Sequence, residues 1–118
     1  MPAVATYYQL VDKEVTLAVG AKREFTQPVG VTPAGGEGAL VTWVARRVAP
    51  AAGTLDYTVT LNAHLLGTYT LTSAAPVAIQ EATDTSHVIK GTNKLVFEVK
   101  PGGTGDLHFS AVMLWHRV

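Results

Sequence analysis

Four histidines, three well-separated serines and a handful of carboxylates are the side chains of this chain that could do chemistry. A hydrolytic site would need a nucleophile, a base and an orienting group, or paired carboxylates across a cleft. Ser73, Ser86 and Ser110 supply hydroxyls, but none lies in an elbow or triad context, so no enzyme is expected. His108 and His116 fall on the same parity of one predicted strand, which reads as outward. They stand about 26 Å apart at about 3.3 Å per residue, too far to share an ion, and read as two surface imidazoles. Glu81, Asp84 and Asp106 offer oxygen ligands for calcium, yet their spacing matches no calcium-loop motif. No metal and no cofactor are expected.

The aromatic residues offer a different chemistry. Sugar recognition needs a flat apolar face for the C–H side of a pyranose and planar hydrogen-bonding groups nearby. Trp43 shares its parity with Val41, and Trp115 shares its parity with Phe109, Ala111 and Met113, so both tryptophans are expected in the core. Tyr7 and Tyr8 are adjacent and must point to opposite faces of a strand, so one of them faces out. With Asn62 and His64 at a tight connection, Tyr8 completes the set of expected ligand contacts.

These side chains need strands to hold them, and the apolar period of the chain is two. Leu55, Tyr57, Val59 and Leu61 alternate with Asp56, Thr58 and Thr60; Leu95, Phe97 and Val99 repeat the pattern, and Leu107, Phe109, Ala111, Met113 and Trp115 do so again. Further strands are expected over Val15 to Val19 and Ala39 to Arg46, with shorter ones near Tyr7 to Leu10, Glu24 to Thr26 and Gly67 to Thr72. Pro28 to Gly38 reads as an exposed loop, and Ala49 to Gly53 and Pro101 to Gly105 read as turns. Val77 to Asp84 could hold one helical turn. Lys94 to Val99 and Asp106 to Trp115 are expected to pair as a closing β-hairpin. Six to eight strands at this spacing predict an all-β fold, an antiparallel β-sandwich, in a single domain over residues 1–118.

The segment KGTNKLVFEV, a Gly-rich turn and GDLHFSAVMLW resemble the closing strands of galactose-binding-domain-like jelly rolls, the architecture of many carbohydrate-binding modules. LDYTVTLNAHLLGTYTL is similar to a strand, Asn turn and strand of such a jelly roll, with Asn62 opening the connection; the resemblance covers residues 55–118. It implies a sandwich whose loops at one end bind sugar, often with a structural calcium elsewhere, or an assembly module that binds none. The corresponding loops here are rich in Gly, Pro and Ala, which places sugar binding second.

Composition points to assembly. Nine Lys+Arg balance nine Asp+Glu, so no broad field draws the chain to nucleic acid or anionic lipid. Charged residues make up only 15% of the chain and apolar ones 47%, which suggests a surface partly covered by other subunits. On the expected phase of the last strand, Val112, Leu114 and His116 face outward, with Val96 beside them on the preceding strand. Leu40 and Val44 repeat this two-sided pattern. Val96, Val112, Leu114 and His116, with Tyr7 or Tyr8, are thus the expected partner interface of a homo-oligomer or larger assembly. The absence of a secretion signal and of cysteine fits synthesis in the cytoplasm. The function so read is a structural module, such as a phage capsid decoration or tail protein of a virion, with a carbohydrate-binding, lectin-like module as the alternative.

Overall fold

The computed structural model describes residues 5–35, 38–49 and 52–117. Alternating side chains commit almost every segment to strand: β1 (Ala5–Val11), β2 (Val15–Ala18), β3 (Lys22–Val29), β4 (Gly38–Val48), β5 (Leu55–Leu61), β6 (His64–Leu71), β7 (Val77–Asp84), β8 (Gly91–Val99) and β9 (Asp106–Arg117). They form two sheets, one in the order β1-β9-β4-β7 with β2 also on β9, the other in the order β3-β8-β5-β6. Every pairing is antiparallel. The result is an antiparallel β-sandwich of jelly-roll type. Positions 36–37 of the expected loop and 50–51 of the expected turn lie outside the described residues.

The inner faces meet over a closely packed aromatic core. Phe97 of one sheet stacks on Phe109 of the other at 4.2 Å, and the Trp43 ring meets Phe97 edge-on at 5.4 Å. Phe25 presents an edge to both phenylalanines. Leu55, Tyr57, Val59 and Leu61 are all buried, as their alternation requires. The buried Trp43 indole N–H donates to the Tyr57 hydroxyl at 3.0 Å, which satisfies the one polar handle of the tryptophan. Burial pushes the Tyr57 phenol up to about 12.

Three expectations are corrected. The segment Val77–Asp84 is a strand, since Ile79, Glu81 and Thr83 alternate against exposed neighbours and β4 offers its edge; the only helical turn among the described residues is Thr85–His87, capped by the Asp84 carboxylate. Second, β8 and β9 do not form a hairpin. β8 lies between β3 and β5 in one sheet, and β9 lies in the other. The connection through residues 101–105 is an arch between sheets, pinned where Arg47 Nε donates to the Thr104 carbonyl at 2.9 Å and its Nη2 donates to the Thr104 hydroxyl at 2.7 Å. Gly105 sits there at φ +88°, where an added Cβ would stand 2.6 Å from Ala49 Cβ, so the arch requires glycine.

The third correction is the phase of β9. Ala111 has φ +53°, and Trp43 of β4 spans two residues of β9, Ala111 and Val112, between the pairs Thr42–Met113 and Val44–Ser110. This β-bulge shifts the alternation by one residue, so Leu107 and Phe109 point inward before it and Val112, Leu114 and His116 point inward after it. Those three residues belong to the core and do not form the expected outward interface. Met113 and Trp115, expected inside, face outward and are half-buried.

Candidate ligand-binding face

The bulge turns Trp115 onto the outer face of the first sheet, where it meets Tyr7 across the β1–β9 ladder. The two rings lie 4.7 Å apart at a tilt of 33°. Tyr7 is 55% exposed, the largest accessible aromatic surface among the described residues. On the other side Trp115 pairs with Leu40 of β4, and Leu40 pairs with Ala82 of β7. A row Tyr7–Trp115–Leu40–Ala82 therefore crosses the whole sheet. One step along the outward positions, about 7 Å away, runs the parallel row Gln9–Met113–Thr42–Gln80. A groove of about 260 Å³ opens beside Trp115, bordered by Gly38, Leu40, His116 and Arg117.

This face joins an exposed Tyr7, packed against the half-buried Trp115 ring, to amide and hydroxyl groups, and none of the eight side chains in the two rows carries a formal charge. It suits contact with a polar but uncharged ligand that also has apolar faces. The Trp115 Nε1 and His116 Nε2 atoms are enclosed without a hydrogen-bond partner among the described residues.

The other expected site residues fall elsewhere. Tyr8 points to the opposite side from Tyr7, packs against the core and stacks on buried His116 at 5.6 Å. Val96 does face outward, half-buried, but on the second sheet between Glu24 and Thr60, so it lies across the sandwich from Tyr7. Asn62 opens the β5–β6 connection with positive φ, as does Ala63. Its side chain is committed to structure. Asn62 Nδ2 donates to the His87 carbonyl and to Asn93 Oδ1, while its Oδ1 accepts from Lys94 N. Buried Asn93 extends this knot to both backbone groups of Ile89. His64 is exposed and stacks on His87 at 3.8 Å. No hydrogen bond or ring contact brings Asn62 or His64 to Tyr8 among the described residues.

His108 and His116 sit on opposite sides of the first sheet because the bulge lies between them. His108 faces out beside Glu14, whose carboxylate takes a bidentate pair of hydrogen bonds from Arg46 at 2.9 and 2.8 Å and lies 3.0 Å from His108 Nδ1. The Arg46 and His108 hydrogen bonds hold the Glu14 carboxyl down to about 2. The three acids considered for calcium are dispersed. Glu81 accepts from the Tyr69 hydroxyl at 2.7 Å, Asp84 caps the helical turn, and Asp106 sits at the start of β9. Among the described residues no group of three His, Cys, Asp or Glu side chains could hold a metal ion.

No protein-family model and no curated protein matches the sequence. The fold does have counterparts among solved structures. With 99% of its length the chain superposes on dimeric latent PorU from Porphyromonas gingivalis, at a TM-score of 0.72 and 10% identity, and spans only 13% of that protein. It is similar over 94% of its length, and over 96% of the other chain, to the CBM36-1 domain of a multidomain xylanase from the hindgut metagenome of Trinervitermes trinervoides, with a TM-score of 0.59 and 12% identity. A carbohydrate-binding module CBM36 in complex with calcium and xylotriose matches 96% of the chain and 99% of its own, at a TM-score of 0.52 and 13% identity. Identities this low speak for architecture. In fold, the chain is an antiparallel jelly-roll β-sandwich, an architecture it shares with these carbohydrate-binding modules.

Proposed function

We propose that this chain is a non-catalytic module that binds carbohydrate on the outer face of its first sheet. The observation that carries the reading is the exposed Tyr7 ring, backed by half-buried Trp115, on an uncharged sheet face, with Gln9, Thr42 and Gln80 one row away. Aromatic rings stack on the C–H faces of pyranoses, and amides satisfy their hydroxyls; such contacts fix orientation at modest affinity. The site lies on a strand face, which frees the Gly- and Ala-rich loops from carrying sugar contacts. A broad glycan array tests it directly: binding that is lost in Tyr7→Ala supports the reading, and silence of the folded wild-type chain across the array removes it.

A second reading keeps the expectation of assembly. Leu40, Val44 and Met113 give the same face an aliphatic content suited to a protein neighbour, whether in a homo-oligomer or on a particle such as a virion. Its interface would be Tyr7, Trp115, Leu40 and Met113, without Val112, Leu114 or His116. Light scattering across micromolar concentrations separates the two: a stable trimer or larger species that Met113→Glu disperses favours assembly, and a monomer at every concentration counts against self-assembly.

A further inference from the structure

Charge, proline and bulges are the ordinary means by which an edge strand refuses pairing with another chain, and three of the four sheet edges here carry them. On one side of the first sheet, β1 and β2 are short and separated by the charged run Asp12-Lys13-Glu14, and β1 slips register between Gln9 and Val11. β3 carries Lys22, Arg23, Glu24 and Pro28. β6 holds an extra residue, Leu66, where Val59 and Thr60 pair with Gly67 and Leu65.

β7 has no proline, no bulge and no basic residue. It pairs with β4 residue for residue, from Val77–Ala45 to Asp84–Gly38, and no other strand pairs with it among the described residues. Its outward side chains Ala78, Gln80 and Ala82 are exposed, and Val77 at its start is 42% exposed. The one charge inside the strand, Glu81, is turned toward the second sheet, where it accepts from the Tyr69 hydroxyl. Asp84, at the end of the strand, is engaged in capping the helical turn.

We infer that β7 is a pairing edge for a second copy of this chain, which joins two sandwiches through an antiparallel β7–β7 ladder centred on Gln80. A two-fold contact needs a self-complementary surface, and the outward row Ala78–Gln80–Ala82 reads the same in both directions. With the two-fold axis perpendicular to the sheet, only residues on the same face can oppose one another, so the centre must fall on a residue. Centred on Gln80, the ladder pairs residues 77–83, sets Ala78 against Ala82 of the partner subunit, and brings Gln80 to the partner's Gln80, where the two amides can bond each other. Centred on Glu81, it would set two carboxylates opposite each other; centred on Ile79, it would be shorter. Pairing at β7 leaves Tyr7, on the opposite edge strand, open, and is independent of what that face binds.

The chain has no cysteine, so single-cysteine variants of the full chain report the register cleanly. Opposed Cα atoms in an antiparallel ladder lie about 4.5–5.5 Å apart, within disulfide reach, whereas position 78 would stand ~14 Å from its own copy. Under mild oxidation Gln80→Cys is expected to form a disulfide dimer at least about tenfold faster than Ala78→Cys or Ala82→Cys. In light scattering the wild-type mass is expected to rise from one chain toward two as concentration climbs from micromolar to millimolar. The double variant Ala78→Lys/Ala82→Lys opposes like charges twice and is expected to abolish the dimer, and Ala78→Lys/Ala82→Glu, which opposes unlike charges, to restore it. Melting temperatures near wild type for both would show that the fold is kept. A monomer at every concentration with no preference for Gln80→Cys, or a dimer that neither charge variant alters, overturns the inference and leaves the carbohydrate reading standing.

Discussion

Ala111 is the residue on which the surface of this protein turns. A left-handed alanine costs about 1 kcal/mol relative to glycine, and the cost is higher for a β-branched side chain. Ala111→Gly is therefore expected to leave the free energy of unfolding unchanged or slightly raised, and Ala111→Val to lower it by at least about 1–2 kcal/mol, both read by urea unfolding. Equal tolerance of valine and glycine would contradict the bulge. No sequence cue announces it, because alanine is not a residue that marks positive φ. Hence the alternation of β9 is legible up to Phe109, while the inward side of Val112, Leu114 and His116 is not. Glu14 supports a pH prediction. Its carboxyl is held below its ordinary value of 4.5, at about 2, so its contribution is present above pH 4.5 and is lost as pH falls toward 2. Glu14→Gln is expected to melt below the wild type at pH 7 and to converge with it near pH 2. A gap that persists unchanged at pH 2 would mean that Glu14 acts by shape and not by charge.

At the scale of elements, strands were readable and their partners were not. The alternation in Leu55–Leu61 and Leu95–Val99 determines which side is buried, and those sides are buried as expected. Whether two alternating strands joined by glycines form a hairpin or an arch depends on a distant side chain, here Arg47 holding Thr104. The β5–β6 connection was legible because Asn62 is a residue that accepts positive φ. The two sheets are also tied at their β6 and β7 edges, where the Tyr69 hydroxyl donates to the half-buried Glu81 carboxylate. Burial and that carboxylate push the Tyr69 phenol up, so it stays protonated and remains a donor throughout the neutral range. Tyr69→Phe is expected to cost about 1–3 kcal/mol in denaturant unfolding, since it leaves Glu81 without its donor. A cost near zero would indicate that solvent replaces the tyrosine.

For the whole molecule, the exposed aromatic face follows from the fold more than from composition. A charge content of 15% suggested surfaces hidden by neighbours, but part of that apolar content is the second half of β9 facing inward. Leu114 shows the difference plainly: it is 1% exposed, so Leu114→Glu is expected to unfold the chain by placing a carboxylate in the core, where an interface position would have left the fold intact. Loss of the cooperative thermal transition is the readout. The sandwich holds Trp43 in its core, bonded to Tyr57, and Trp115 on its outer face against Tyr7, so the two indoles of the chain report on inside and outside separately. The most direct test is an amide and indole NMR titration with a neutral oligosaccharide. The expected result is a shift of the Trp115 indole and of amides around Tyr7, Gln9, Leu40 and Met113, with the Trp43 indole and the Asn62–His64 connection unmoved. Shifts centred on Asn62, His64 and His87, or none at saturating sugar, would contradict the assignment of ligand binding to this face.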